Sequence, residues 1–179
     1  MEEARTANEK FLSVDPLSVL AHSSMLQLEL LSGHIGTVQA EGLRLLTSSD
    51  SPLLRYLVAV GFIHDQRPQD ALRVLRAMPE QVLTFAGQAC RFLRLALEGQ
   101  PDAARACFDP DLLDRARNVE IWSLNVSECY AFVDETDLAV DWLERHSERA
   151  SGTIPTSRRT AASSGGSADI LASRRSWPT

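Results

Sequence analysis

Lysine is nearly absent from this sequence: Lys10 stands alone against seventeen Arg in 179 residues. A phosphate-binding loop of the G-x-x-x-x-G-K-[ST] type needs that residue after a glycine-rich turn, and no such turn occurs. Aromatics are scarce at 6%. Strand-forming residues never gather into alternating runs bounded by turns, so no sheet is expected. No apolar run approaches the roughly 18 residues that a membrane span requires. The N-terminal stretch "MEEARTANEKF" carries acid and lacks an apolar segment, which excludes a secretory signal and points to the cytoplasm. Cys90, Cys107 and Cys129 are widely spaced and lack the paired C-x2-C spacing of a zinc site. Three buried free thiols are the expectation. The kinase segments and the G-x-S-x-G nucleophile elbow are missing. His22, His34, His64 and His146 are scattered without metal-ligand spacing. No catalytic residue, cofactor site or metal site is expected.

What is present is leucine and alanine at helical intervals, with 44% apolar and 23% charged residues, a composition that favours helices. The segment from Ser151 carries four Arg and one Asp, a balance of +3, which leaves Met1–Ala150 at −9 against a total of −6. Nucleic-acid binding needs a basic face to displace counterions, so that partner class is excluded.

One pattern recurs along the acidic part. A small residue is followed four positions later by a large apolar one, as Ala7/Phe11, Ala71/Leu75, Ala104/Phe108 and Ala139/Leu143. Ala40 takes the same role before Arg44, and the alanines are 33, 31, 33 and 35 residues apart. Turn-forming stretches precede most of them: "SGHIG" at 32–36, "DQRPQD" at 65–70, "EGQPD" at 98–102 and "DETD" at 134–137. Pro68 and Pro101 fall where a second helix begins, a position at which a missing N–H costs nothing. Helix pairs of about 34 residues cannot bury an apolar stripe alone and stack on their neighbours. His34 and His64 are expected at the ends of first helices, and Asp109, Asp111 and Asp137 as turn and cap residues.

The arrangement resembles the tetratricopeptide repeat, whose pattern is W-x2-L-G-x2-Y, a later A-x3-F, then Pro. Trp122, Ser127, Tyr130, Ala139 and Leu143 give the closest match. Val58, Ala59, Phe62, Ala71 and Leu75 give the next, with Arg55 at the Trp position. The pair from Leu17 matches least. The arrangement is similar to the repeat regions of bacterial Ser/Thr protein kinases and related regulators. The resemblance implies an all-α, right-handed superhelical stack of antiparallel helix pairs over 1–149. A partial first unit covers 3–15, and pairs cover about 16–48, 52–79, 83–115 and 118–149. The half unit at the start is either a cut mid-repeat or a capping helix.

The likeness also implies a noncatalytic scaffold for signalling proteins, with a concave groove for a peptide. Transferred position by position, that groove takes Tyr56, Val60 and His64 from one pair and Leu124, Asn125 and Glu128 from another. The carboxylate clamp of the family is rejected, since the cations it needs are missing around Asn125. An acidic, partly apolar groove suits a basic or amphipathic protein segment. The alternative is a structural element that self-associates through exposed terminal helices.

Periodicity vanishes from residue 150 to 179, where Ser, Thr, Arg and Gly replace the apolar stripe and disorder is expected. A reading-frame break between about Arg145 and Gly152 is a second account of the change. In either case an uncapped end carrying Trp142 and Leu143 is expected to be adhesive.

Overall fold

Helix-forming composition and well-placed caps give a chain of helices. The computed structural model describes residues 2–79 and 83–150. Its described elements are α1 (Glu2–Val14), α2 (Val19–Leu31), α3 (Ile35–Leu46), α4 (Pro52–His64), α5 (Pro68–Arg76), α6 (Phe85–Leu97), α7 (Pro101–Arg105), α8 (Pro110–Ala116), α9 (Glu120–Ala131) and α10 (Thr136–Ala150). No strand occurs among the described residues, and the fold is all-α. The Ser/Arg-rich segment expected to be disordered lies, from residue 151, outside the described residues.

Local chemistry sets where these helices begin. The side chains of Ser18, Ser51, Thr84 and Asp109 accept from backbone N–H groups in the first turns of α2, α4, α6 and α8. These bonds satisfy donors that a helix start leaves open. Pro52, Pro68, Pro101 and Pro110 each occupy a first turn. Asp109 precedes Pro110 and is extended, as the proline ring requires. α7 is only five residues long and α8 starts at Pro110; the separate short helix is a departure from one continuous second helix there.

A strict period emerges from the helix starts. α2, α4, α6 and α9 begin 33, 33 and 35 residues apart, and so do α3, α5, α7 and α10; α1 begins 33 before α3. Each hairpin turns on one left-handed residue: Gly33 (φ 78°), Gln66 (φ 58°), Gly99 (φ 75°) and Asp134 (φ 61°). In each, the next N–H reaches back to the carbonyl five residues earlier. His34 donates to Glu29, Arg67 to Phe62 and Gln100 to Leu95 at 2.9 Å, and Glu135 to Tyr130 at 3.1 Å. This is the Schellman closure of a helix end, built four times. It also accounts for "DETD", whose Asp134 supplies the left-handed turn.

That period corrects the alanine register. Ala40 is exposed, whereas Val38, Gly42 and Leu45 are buried. The residue equivalent to Ala71, Ala104 and Ala139 is therefore Val38. In α1, Ala7 and Phe11 are exposed too, Phe11 at 46%. The spacing of small residues looked right, but the buried face lies two residues away.

The chain divides into two compact units, Met1–Phe108 and Asp109–Thr179. In the first, α4 packs on α2, α3, α5 and α6. Its core is Leu54 and the unbroken run Tyr56–Ile63, all buried, the signature of a helix enclosed on every side. Two glycines set how closely α3 approaches it. A Cβ on Gly42 would lie 2.2 Å from Val58 Cγ2, and one on Gly61 would lie 3.2 Å from Val38 Cγ1. Phe108 stacks on Phe85 and tilts against Phe92, with ring centroids 6.0 and 5.3 Å apart. The Cys90 thiol donates to the Pro52 carbonyl at 3.3 Å, joining α6 to α4.

In the second unit α9 and α10 pack as a hairpin, and α8 lies on α9. Ser123 Oγ donates to the Ala116 carbonyl at 3.1 Å, and Ser127 Oγ to the Ala139 carbonyl at 2.7 Å. These two buried hydroxyls tie α9 to both neighbours without leaving a donor unsatisfied. Trp142, expected on an adhesive face, is 4% exposed, with the Arg117 guanidinium 5.5 Å from its ring centre. Leu143 is half-buried. The tryptophan is thus a core residue under a cation, not an open patch.

Candidate interaction surface

The helices that carry the groove residues bury most of them. Tyr56 and Val60 are 1% and 0% exposed within α4. Enclosure of that helix by four others leaves neither side chain open to a peptide, which corrects their placement. His64, the last residue of α4, is half-buried, and desolvation pushes its pKa below the usual imidazole range. In the second unit Asn125 is 2% exposed, again a core residue, while Leu124 and Glu128 are half-buried.

The other candidates resolve individually. His34 lies beyond the end of α2 and directly precedes α3, and its ring bonds Glu29 at 2.6 Å. It makes no side-chain cap bond to α3. Its ring and its backbone N–H both bond Glu29 in the last turn of α2, so it serves the end of a first helix as expected. Cys90 and Cys129 are buried, but Cys107 is half-exposed, because the early end of α7 leaves it outside a helix. Burial pushes the Cys90 thiol up to about 12, so it stays protonated and inert. Among the described residues no three His, Cys, Asp or Glu side chains gather as a metal set, and no helix is long and apolar enough to cross a membrane.

A cleft of about 410 Å³ opens in the first unit between the α1–α2 turn and the α3–α4 turn. Leu17, Val19, Leu45 and Leu54 supply its apolar lining, and His22, Arg44 and Ser48 its polar one. By the 33-residue period His22 corresponds to Arg55. Arg55 fills its position: it pairs with Asp50 and donates to the Val74 carbonyl at 3.2 Å, spanning α4 and α5. The shorter His22 ring stops at the Pro16 carbonyl, 2.9 Å away, and lines the cleft.

Charge in the cleft is matched. Arg44 grips Glu41 through Nε at 2.8 Å and Nη2 at 2.6 Å. That bond, with a smaller pull from His22, holds the Glu41 carboxyl below its usual range. Beside the cleft in sequence, Val14, Leu17 and Leu20 are 83%, 87% and 65% exposed. These are three large apolar side chains in solvent within seven residues. Sequence reading missed this site, although its one signal was legible: the pair from Leu17 is where the repeat pattern fits least. No family model, curated protein or solved structure matches the chain.

Proposed function

We propose that the chain is a noncatalytic helical-repeat scaffold that binds a protein segment, with the Leu17 cleft as its docking point. The observation that carries this reading is the fourfold recurrence of one helix hairpin, closed by the same left-handed residue and the same back-reaching hydrogen bond. In the first unit the principal contacts join each helix to those one or two places away in the chain: α2 to α3 and α4, α4 to α5 and α6. Such near-neighbour packing supports a stacked array, in which the surface is pre-formed and little order is lost on docking. The partner is a basic amphipathic segment. Its apolar side meets Leu17, Val19 and Leu54. The −9 of the first 150 residues favours a basic segment through the field of the chain and not through the cleft lining, where Arg44 is paired with Glu41.

A titration tests this with a basic amphipathic peptide of about 18 residues, five helical turns, and with its charge-reversed counterpart. The basic peptide is expected to bind and the acidic one not, and Leu17→Asp is expected to weaken binding about tenfold or more, the effect of placing a carboxylate in an apolar contact. A chain that ignores both peptides overturns the reading. Particle size that grows with protein concentration and is indifferent to peptide supports instead the self-assembly alternative, which the exposed Val14, Leu17 and Leu20 would serve.

A further inference from the structure

One carboxylate holds three helices at the N-terminal end of the first unit. The Arg5 guanidinium of α1 donates to Glu29 Oε1 at 2.5 Å, and His34 Nδ1, just before α3, lies 2.6 Å from Glu29 Oε2. Glu29 itself belongs to α2 and its side chain is only 12% exposed. The repeat period gives this trio its meaning. The equivalents of Glu29 are Phe62, Leu95 and Tyr130, and those of Arg5 are Val38, Ala71, Ala104 and Ala139. Where the later repeats put apolar side chains, the first junction puts a cation and an anion.

The rest of α1 adds little grip. It buries no residue; only Arg5, Asn8 and Leu12 are partly covered. Glu9 stands in solvent where Gly42 and Leu75 are buried in α3 and α5.

We infer that α1 is an electrostatic clasp, latched by Glu29, which opens on its own before any other helix of its unit. An apolar junction is indifferent to ionic strength. An ion pair whose Arg5 and His34 side chains are 31% and 60% exposed is screened by salt. The charged groups that act on the latch are Arg5 and His34 on Glu29, with Glu2 and Glu9 of α1 on Arg5. Opening also frees the turn that carries Pro16 and Leu17, one wall of the cleft, so the clasp controls the shape of that wall. The inference does not depend on the cleft having a partner.

Hydrogen exchange on the full chain, at one pH, tests it by comparing residues 2–14 with residues 52–64. Raising NaCl from about 20 to about 500 mM shortens the screening length severalfold and is expected to speed exchange in α1 about two- to fivefold, the range of a partly exposed pair. Exchange in α4 stays unchanged. Glu29→Gln and, at the more exposed end, Arg5→Gln each bring α1 to its high-salt rate in low salt and abolish the salt response. Slow exchange in α4 confirms that each variant is folded. The inference is overturned if α1 and α4 respond together, if salt leaves α1 unmoved, if α1 is already unprotected in low salt, or if Arg5→Gln keeps the salt response.

Discussion

Adding one methyl group to Gly42 tests how α3 and α4 are held together. The new Cβ would sit 2.2 Å from Val58 Cγ2 and 3.5 Å from Leu26 Cδ1, while ordinary carbon contacts lie at about 3.5–4.0 Å. Val58 has nowhere to go. It is fully buried, and a β-branched side chain in a helix is confined to essentially one rotamer. The helices must therefore separate by about 1 Å or more, and overpacking of this kind costs about 1–3 kcal/mol; the depth of the overlap argues for the upper end. Alanine recovers about 1 kcal/mol in helix propensity, so the net loss is about 2 kcal/mol. Gly36, in the first turn of the same helix, has nothing within 4 Å of its would-be Cβ, so Gly36→Ala gains propensity alone, about 0.5 kcal/mol there, less than the interior value. Urea unfolding followed by circular dichroism reads both. With a slope of about 2 kcal/mol per M, Gly42→Ala lowers the midpoint by about 1 M, while Gly36→Ala raises it by a few tenths. A Gly42→Ala protein that unfolds at or above the wild-type midpoint refutes the close-packing argument.

Further outcomes follow from the hinges and the titrating groups. Gln66 holds φ at 58°, a region that costs an L-residue about 1–2 kcal/mol. Gln66→Gly is therefore expected to stabilise the fold by about 0.5 kcal/mol after glycine's own entropy cost; Gly99→Ala, at φ 75°, is expected to destabilise it by about 1 kcal/mol. The opposite order in thermal melts would exclude equivalent hinges. In a native thiol titration at pH 8, Cys107 reacts first and Cys90, with its thiol pushed up to about 12, waits for unfolding; equal rates would contradict the burial. His64 is desolvated and its pKa lies below the usual 6.5, so on acidification the unfolded chain takes up the proton first. Its contribution to stability is complete above pH 6.5 and declines as pH falls from there to the folded pKa. Replacing it with Asn should flatten the stability profile in that window, and an unaltered slope would remove His64 from the account.

Much of the architecture was legible because local rules and the tertiary fold agree. Leu- and Ala-rich stretches without alternation make helices, Asp109 caps one of them, and Pro68 and Pro101 start second helices. The turns at Gly33 and Gly99 were legible for the same reason, since glycine reaches a left-handed φ without strain. Gln66 and Asp134 lie in stretches also read as turns, but without glycine's cue only the backbone reveals their left-handed φ.

Composition and periodicity, by themselves, determined that this chain is helical, that it turns about every 33 residues, and where most helices begin, because those properties depend on bonds within a few residues. Burial was decided elsewhere. Whether Ala40 or Val38 faced inward, whether Tyr56, Val60 and Asn125 were surface or core, and whether Trp142 was open or covered all depended on which helix lay opposite. The cleft at Leu17 belongs to the same class: its lining comes from two turns and from helices that only the packing of α2, α3 and α4 brings together. Spacing along one helix names the candidates for its buried face, and only the neighbouring helices choose among them.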